Sequence, residues 1–313
     1  GGDAKIDQNT FLLEPVSAEN LVNNRNSRNF WCNVKGIGSW SLTGNAAEAL
    51  SKKFTEMQDD SEVTAGFMWQ KTTRESKKYQ LRGEILSFIP VEKNVEVMLV
   101  TITNTGRMAQ TVTPTAAIPL YGRSADNIRD HRHVTSLLHR IETTDIGVLV
   151  TPTLSFDERG HQVNHMTYYC VGWSGNGEKP VDFYPTAEDF VGEGGNFERP
   201  YAIVKNAEGV KAGTRIEGLE AVGGLHFSEV TLEPEEECSY LIFTGITEDI
   251  QEIRNLSKTY TTREMVLEEL EKTKAYWQEK VNVAYHTGDS DFNQFMHWVS
   301  FQPILRRIYG CSS

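Results

Sequence analysis

The residues best suited to chemistry lie in one polar stretch, RDHRHVTSLLHR, at positions 129–140. It holds three of the eight histidines of the chain together with three arginines. Imidazole and guanidinium groups can bind a metal ion, transfer protons, or hold an anion or the hydroxyl groups of a sugar. They can also satisfy one another at a sheet edge without any ligand, so four interpretations have to be compared.

A metal site is disfavoured by charge. His131 and His133 would share one face of a strand, which is an acceptable pair of zinc ligands. Arg129, Arg132 and Arg140 crowd the same region, however, and fixed cations repel a divalent cation. No cysteine or carboxylate lies at a spacing that would complete a tetrahedral site. The sequence therefore predicts no metal.

Covalent catalysis is also disfavoured, because the sequence around Ser136 does not resemble a nucleophile elbow. Two interpretations remain for the stretch. Its side chains hydrogen-bond to one another and to backbone groups at the edge of a sandwich, or they bind sugar hydroxyls or an anion. In the second, the planar guanidinium groups of Arg129 and Arg132 contact the ligand, Asp130 holds an arginine in place, and His133 supports them.

A second polar cluster, NNRNSRNFWCN, covers residues 23–33. Arg25 and Arg28 could hydrogen-bond to a sugar while Trp31 packs against its CH face. Alternatively, this is a polar loop that anchors an aromatic pair in the core. Glutamate and aspartate are plentiful elsewhere, but no carboxylate pair stands out as a general acid and base.

The overall composition is that of a globular protein, with 39% hydrophobic and 24% charged residues in a chain of 313. A net charge of −12 argues against nucleic acid as a partner, because neutralising phosphates requires a basic face. No apolar run approaches the length of a membrane span, and the N-terminus lacks a signal-peptide pattern. Four widely spaced cysteines without a CxxC pair predict reduced thiols in a cytoplasmic protein.

From about residue 10 to residue 250, the pattern is that of strands and turns. The clearest strand begins at Val95, where β-branched residues recur along VEVMLVTIT and neither face is wholly polar. We therefore expect this strand to be covered on both sides. Residues 104–107 predict a turn, and residues 109–118 return as a second strand. Many short strands at regular intervals predict a β-sandwich or barrel.

Near residue 258 the pattern changes to the period of helices. Residues 261–264 (TTRE) fit a capping box, and the helix that follows has Val266, Leu270 and Trp277 on one face. This change predicts two parts, a sandwich over residues 1–257 and a helical segment over residues 258–313.

A second helix is predicted to begin at Asp289 or Ser290, with Pro303 interrupting it and a third short helix following. Large apolar side chains are dense in this region, too dense for a solvated tail. They are Phe295, Trp298, Phe301, Ile304, Leu305, Ile308 and Tyr309. We expect a packing partner for them outside these 313 residues.

Two stretches, YGRSADNIRDHRHVTSLLHRI and WVSFQPILRRIYGCS, closely resemble the N-terminal region of glycoside hydrolase family 94, formerly glycosyltransferase family 36. The resemblance extends over nearly the whole chain. Members of this family are inverting glycoside phosphorylases that act on β-linked oligosaccharides, and the sequence looks most similar to the β-1,2-oligoglucan phosphorylase type.

The resemblance implies a galactose-mutarotase-like antiparallel β-supersandwich, joined by linker helices to an (α/α)6 barrel. In the family the barrel carries the catalytic aspartate and the phosphate site, and inorganic phosphate is the co-substrate, with no other cofactor implied. None of those catalytic residues matches a position here. The sandwich supports a homodimer, packs on the barrel, and in some members lends an arginine to the acceptor subsite, which here would match Arg129 or Arg132.

Three hypotheses for function follow. The first is a non-catalytic domain of an inverting glycoside phosphorylase, inactive when isolated. The second is a free-standing carbohydrate-binding sandwich protein. The third is a mutarotase-like enzyme, for which His226 and Glu229 would form the acid–base pair.

Overall fold

The computed structural model describes residues 10–11, 28–91, 93–124, 136–157 and 160–309. Within these residues the chain is mainly β, with antiparallel strands followed by helices toward the C-terminus. The predicted fold class, an antiparallel sandwich followed by C-terminal helices, is confirmed.

The strands are β1 (Thr10–Phe11), β2 (Asn29–Val34), β3 (Gly38–Ser41), β4 (Asp60–Gly66), β5 (Trp69–Ser76), β6 (Leu81–Phe88), β7 (Val95–Asn104), β8 (Gln110–Leu120), β9 (Arg123–Ser124), β10 (Arg140–Thr143), β11 (Gly147–Val150), β12 (Leu154–Asp157), β13 (Gly160–Val163), β14 (Thr167–Ser174), β15 (Asp182–Thr186), β16 (Arg215–Glu217), β17 (Ala221–His226), β18 (Val230–Leu232) and β19 (Glu237–Thr247). The helices are α1 (Ala47–Ser51), α2 (Ala187–Val191), α3 (Tyr201–Lys205), α4 (Ile250–Thr259), α5 (Arg263–Lys280) and α6 (Ser290–Tyr309).

Two antiparallel sheets make up the sandwich. One has nine strands in the order β16-β10-β11-β14-β19-β7-β6-β5-β4. The other has six strands, with the order β15-β17-β8-β2-β3 and β18 pairing with β8. Two small antiparallel pairs, β1 with β9 and the hairpin of β12 with β13, lie outside these sheets.

The inner faces of the two sheets share one buried cluster. Met98, Val100 and Ile102 of β7 contribute from the nine-stranded sheet, and Phe30 and Cys32 of β2 contribute from the six-stranded sheet. Alternate residues of a strand point to opposite faces, so the other residues of these strands must be accommodated in a second layer.

That second layer on the nine-stranded sheet is formed by helices. Val97 and Leu99 of β7 share a buried cluster with Ile253 of α4 and with Val266 and Leu270 of α5. The prediction that this strand is covered on both sides is therefore confirmed.

The chain changes sheets after β7. The predicted turn is present, but β7 and β8 belong to different sheets, so residues 104–107 carry the chain from one sheet to the other. The fully buried Asn104 fixes this crossing, because its side-chain nitrogen donates to the carbonyls of Met108 (2.8 Å) and Leu232 (2.9 Å). Its side-chain oxygen accepts from the Gly106 amide at 2.9 Å.

Helix α4 was not predicted. It begins after Asp249, whose carboxylate accepts from the amide of Gln251 at 2.8 Å, the usual N-cap arrangement. The helix spans the predicted boundary between residues 257 and 258, and that division into two parts stays a prediction.

Helix α5 has the predicted buried stripe. The buried residues are Val266, Leu270, Thr273 and Trp277. The capping box is wrong in register, because the N-cap is Thr262 and its side chain makes no capping bond. The hydroxyl of Thr261 instead contacts the sulfur of Met265 at 3.1 Å.

Helix α6 begins as predicted and then differs. Asp289 caps it, accepting from the amides of Asp291 (2.9 Å) and Phe292 (3.0 Å). The predicted break at Pro303 is wrong, because the helix runs without interruption to Tyr309. A proline costs a helix one hydrogen bond and a steric clash, and Phe301, packed against Trp277, holds the turn before it in place.

The close packing of β11 on β14 predicts a strong effect at Gly147. A Cβ added there would lie 2.2 Å from the Cys170 carbonyl oxygen and 2.6 Å from Val171 Cα, and both are backbone atoms. Gly147→Ala should lower the free energy of unfolding by roughly 1–3 kcal/mol, as overpacked cores do. Gly288→Ala, where the added Cβ meets nothing within 4 Å, is the control. Equal urea midpoints for the two variants would contradict the packing described.

Candidate functional site

The main predicted site lies outside the described residues. This applies to Arg129, Asp130, Arg132 and His133, and also to Arg25. Their contact with a substrate stays a prediction.

The described end of the same stretch borders a small cavity. Its lining includes Tyr121 after β8, Ser136 and His139 before β10, Phe197 after α2, and Glu220 before β17. The cavity is largely apolar, with His139 as one of few polar groups that face it. It therefore suits a water molecule or a small group rather than a sugar ring.

His139 is fixed as a neutral imidazole. Its Nδ1 lies 3.2 Å from the Leu219 carbonyl oxygen, which accepts hydrogen bonds, so Nδ1 carries the proton. Burial lowers the pKa of His139 to about 4, although the bond to Leu219 acts in the opposite direction. Nε2 is then a lone-pair acceptor, and it has no hydrogen-bond partner among the described residues.

The secondary candidates that are described serve packing in this conformation. Arg28 forms an ion pair with Glu96, which ties the start of β2 to β7. Trp31 is 2% exposed and packs in a layer with Tyr184 and Phe190 on the outer face of the six-stranded sheet. Neither side chain is open to a ring-stacked sugar here, and sugar binding by either stays a prediction.

The acid–base pair considered for a mutarotase-like enzyme does not form. His226 Nδ1 lies 2.6 Å from Asp182 Oδ1, whereas Glu229 pairs with Lys35 at 3.3 Å on the surface. The pairing of His226 with Glu229 is therefore wrong. Sequence analysis missed Asp182 because it lies on β15, 44 positions before His226, and only the order of strands in the sheet makes them neighbours.

The Asp182–His226 pair is too buried to act on a sugar in this conformation. Asp182 is 3% exposed and His226 is 7% exposed. The ring of Tyr184 lies beside the imidazole, with centroids 5.6 Å apart, and Lys211 Nζ lies 3.8 Å from the other carboxylate oxygen. The pair therefore joins two strands and the loop of Lys211.

A second charged cluster surrounds Glu48 of α1. Its carboxylate accepts hydrogen bonds from Lys52 (2.6 Å), Lys78 (2.7 Å) and the hydroxyl of Tyr79 (2.7 Å). Burial by itself would raise the pKa of Glu48, but these three donors outweigh it and lower that pKa to about 2. The groups satisfy one another, which is typical of a structural network.

A cleft with a volume of about 720 Å³ lies beside the start of α5. Its lining contains Lys179, Arg263 and five glutamates, namely Glu178, Glu229, Glu236, Glu237 and Glu264. Arg263 is engaged by Glu237 at 3.0 Å. An excess of carboxylates repels phosphate and other anions, so this cleft does not suit them.

Helix α6 leaves apolar side chains in solvent. Phe301 is 1% exposed and packs on Phe67 and Trp277, whereas Phe295 is 60% exposed. Phe292, Trp298 and Val299 are also exposed. Monomeric proteins seldom leave several large apolar groups together on one helix, so this part of α6 is a candidate contact surface.

The described part of the chain contains no metal-binding cluster. No group of three or more His, Cys, Asp or Glu residues there could hold a metal ion. Cys32, Cys170 and Cys238 are free thiols. Among the described helices, none combines the length and apolarity that a membrane span requires.

Taken together, the two sheets and their covering helices define a β-supersandwich domain. The family model of the glycosyl hydrolase 94 supersandwich domain matches residues 15–263. The chain therefore belongs to glycosyl hydrolase family 94, through its supersandwich domain. A search of curated proteins found no match.

Solved structures with similarity to the chain include three carbohydrate-active proteins. A bacterial glucoamylase complexed with acarbose has a TM-score of 0.46 and 9% identity, covering 82% of this chain and 32% of that one. A putative kojibiose phosphorylase from the human microbiome has a TM-score of 0.47 and 9% identity, covering 88% of this chain and 30% of that one. A polysaccharide lyase has a TM-score of 0.38 and 11% identity, covering 78% of this chain and 30% of that one. The chain thus spans about a third of the length of these structures.

Burial of His139 predicts a specific acid sensitivity. Its pKa is about 4 in the folded chain and about 6.5 when unfolded, so the unfolded state binds the extra proton first. Its contribution to stability is complete above pH 6.5 and is lost as the pH falls from 6.5 to 4, by roughly 3 kcal/mol.

His139→Gln should therefore flatten the dependence of unfolding free energy on pH in this window, measured by urea titration at several pH values. The unsubstituted chain, titrated under the same conditions, provides the reference slope. An unchanged slope in the His139 variant would contradict the neutral, buried imidazole.

Proposed function

We propose that the chain is the non-catalytic supersandwich domain of an inverting glycoside phosphorylase. The observation that carries the proposal is the family match over residues 15–263. Catalysis would belong to an (α/α)6 barrel of the same longer polypeptide, with inorganic phosphate attacking the anomeric carbon. Such a reaction requires no nucleophile from the sandwich.

The charge of the described surface supports this division of roles. The charged groups that line the large cleft beside α5 are mostly glutamates, which repel anions. The buried Asp182–His226 pair has no access to a sugar. Phosphate binding and proton transfer are thus assigned to the barrel.

The substrate of the whole protein would be a β-linked gluco-oligosaccharide, of the β-1,2 type to which the sequence looks most similar. Arg129 or Arg132, with Asp130 and His133 in support, would border the acceptor subsite. Inorganic phosphate is the co-substrate, and no further cofactor is proposed. A homodimer and a cytoplasmic location complete the proposal, the latter supported by the three free thiols.

Phosphorolysis is the direct test. The isolated 313-residue chain should release no sugar 1-phosphate from β-1,2-gluco-oligosaccharides and phosphate, whereas the full-length product of its gene should. Coupled detection of glucose 1-phosphate measures both. Release by the isolated chain would overturn the non-catalytic role. Saturable oligosaccharide binding by the isolated chain, together with an inactive full-length product, would favour a carbohydrate-binding protein instead.

The exposed side of α6 is proposed to pack on the barrel. Because Phe292 and Phe295 are exposed, the double variant Phe292→Ser, Phe295→Ser should change the unfolding free energy of the isolated chain by less than about 0.5 kcal/mol. In the full-length protein the same change should lower the melting temperature and the rate of phosphorolysis.

The buried Phe301 on the same helix provides the contrast. Phe301→Ala should destabilise the isolated chain itself, by about 3–5 kcal/mol. Equal behaviour of the double variant in the isolated chain and in the full-length protein would argue against a barrel contact at this surface.

A further inference from the structure

Polar side chains form a continuous row across the outer face of the six-stranded sheet. The register aligns Asp182 of β15 with His226 of β17, His226 with Thr115 of β8, Thr115 with Trp31 of β2, and Trp31 with Ser41 of β3. Directly paired residues of antiparallel strands point to the same face, so all five side chains lie on one side of the sheet.

The residues next to the row in sequence show which side of the sheet the row occupies, because successive side chains of a strand point to opposite faces. Phe30, Ala116 and Leu225, which neighbour the row in sequence, belong to the cluster between the two sheets. The row therefore faces outward, beneath the layer that contains Phe190 and Ile203. All five side chains of the row are more than nine-tenths buried.

Two nitrogen atoms in this row lack hydrogen-bond partners among the described residues. They are His226 Nε2 and Trp31 Nε1, and both are shielded from solvent. Thr115 lies between them in the register. Ser41, at the end of the row, is already satisfied, because its hydroxyl donates to Asn29 at 2.8 Å. Buried polar atoms are seldom left unpaired, and an internal water is a frequent explanation.

The chemistry of the two nitrogens suits a water molecule. The carboxylate of Asp182 accepts from Nδ1 of His226, so Nε2 is the ring nitrogen left for another partner. The indole Nε1 of Trp31 can only donate, and the hydroxyl of Thr115 can donate or accept. A water molecule both donates and accepts, so one water can bond to Nε2, to Nε1 and to the hydroxyl of Thr115.

The spacing suits a single bridging molecule. Adjacent strands lie about 4.8 Å apart, so β17 and β2 are separated by about 9.6 Å with β8 midway. His226 and Trp31 are thus each one strand away from Thr115, which is their common neighbour in the register. Three polar partners are also the usual number for an internal water.

We propose that an ordered internal water molecule occupies this position and bridges His226, Thr115 and Trp31. It extends the Asp182–His226 pair into a hydrogen-bonded chain across four strands, and it fixes the orientation of the indole and imidazole rings. This site is independent of the proposed phosphorolysis.

An isosteric substitution separates a hydrated site from a dry one. With water present, Thr115→Val removes one of three partners and should lower the melting temperature by about 2–4 °C. If the site is dry, the same change should leave the melting temperature unchanged or raise it, which would overturn the proposal. Thr113→Val is the matched control, because Thr113 is buried on the same strand and face but pairs with Asn33 instead.

Nuclear magnetic resonance of the unsubstituted chain gives a second measurement that does not depend on any variant folding. We expect a persistent nuclear Overhauser effect between water and the indole Nε1 proton of Trp31, assigned with Trp31→Phe. Hydrogen bonding to the water should also shift the Nε2 resonance of His226 from that of an unbonded ring nitrogen. A water-free indole proton together with an unshifted Nε2 would overturn the proposal.

Discussion

Burial of the nine-stranded sheet on both faces is the constraint on which the rest of the structure depends. Its central strands must supply apolar side chains in both directions, as Val97 and Val100 of β7 do. One direction requires the six-stranded sheet, and the other requires helices α4 and α5. Trp173 on β14 shows how tightly the helical layer is held, because its indole nitrogen donates to the Tyr260 carbonyl at 2.9 Å. The C-terminal helices α4 and α5 thus pack directly on the nine-stranded sheet.

The six-stranded sheet is built differently, because its outer face mixes polar and apolar side chains under a cover of short helices. Asp182, His226 and Thr115 lie on the same face as the apolar cluster that contains Tyr184 and Phe190. Polar groups under such a cover are costly unless each one finds a partner. The hydrogen bond between Asp182 and His226 provides a partner for His226 Nδ1. His226 Nε2 and Trp31 Nε1 have no hydrogen-bond partner among the described residues.

Local patterns predicted what local forces decide. The alternation along β7 and the stripe along α5 follow from side-chain periodicity, and both are present. The failures involve tertiary context. The sequence of residues 104–107 predicts a turn but does not indicate that the chain passes from one sheet to the other there. The sequence near Pro303 likewise does not indicate that Phe301 packs against Trp277. The candidate site was harder to predict than the fold, because the pairing of Asp182 with His226 depends on strand order. The arginine-rich stretch lies outside the described residues.

Helix α6 connects this fold with the proposed function. Its inner side is anchored, because Phe301 packs against Trp277 of α5 and Phe67 of the β4–β5 turn. A helix with apolar residues on its remaining sides is stable in water only if those sides are covered as well. A rigidly mounted, half-covered helix is therefore a defined docking surface rather than a loose connection. If phosphate itself is the nucleophile, the sandwich needs to offer the barrel only such a surface and a few positioned side chains.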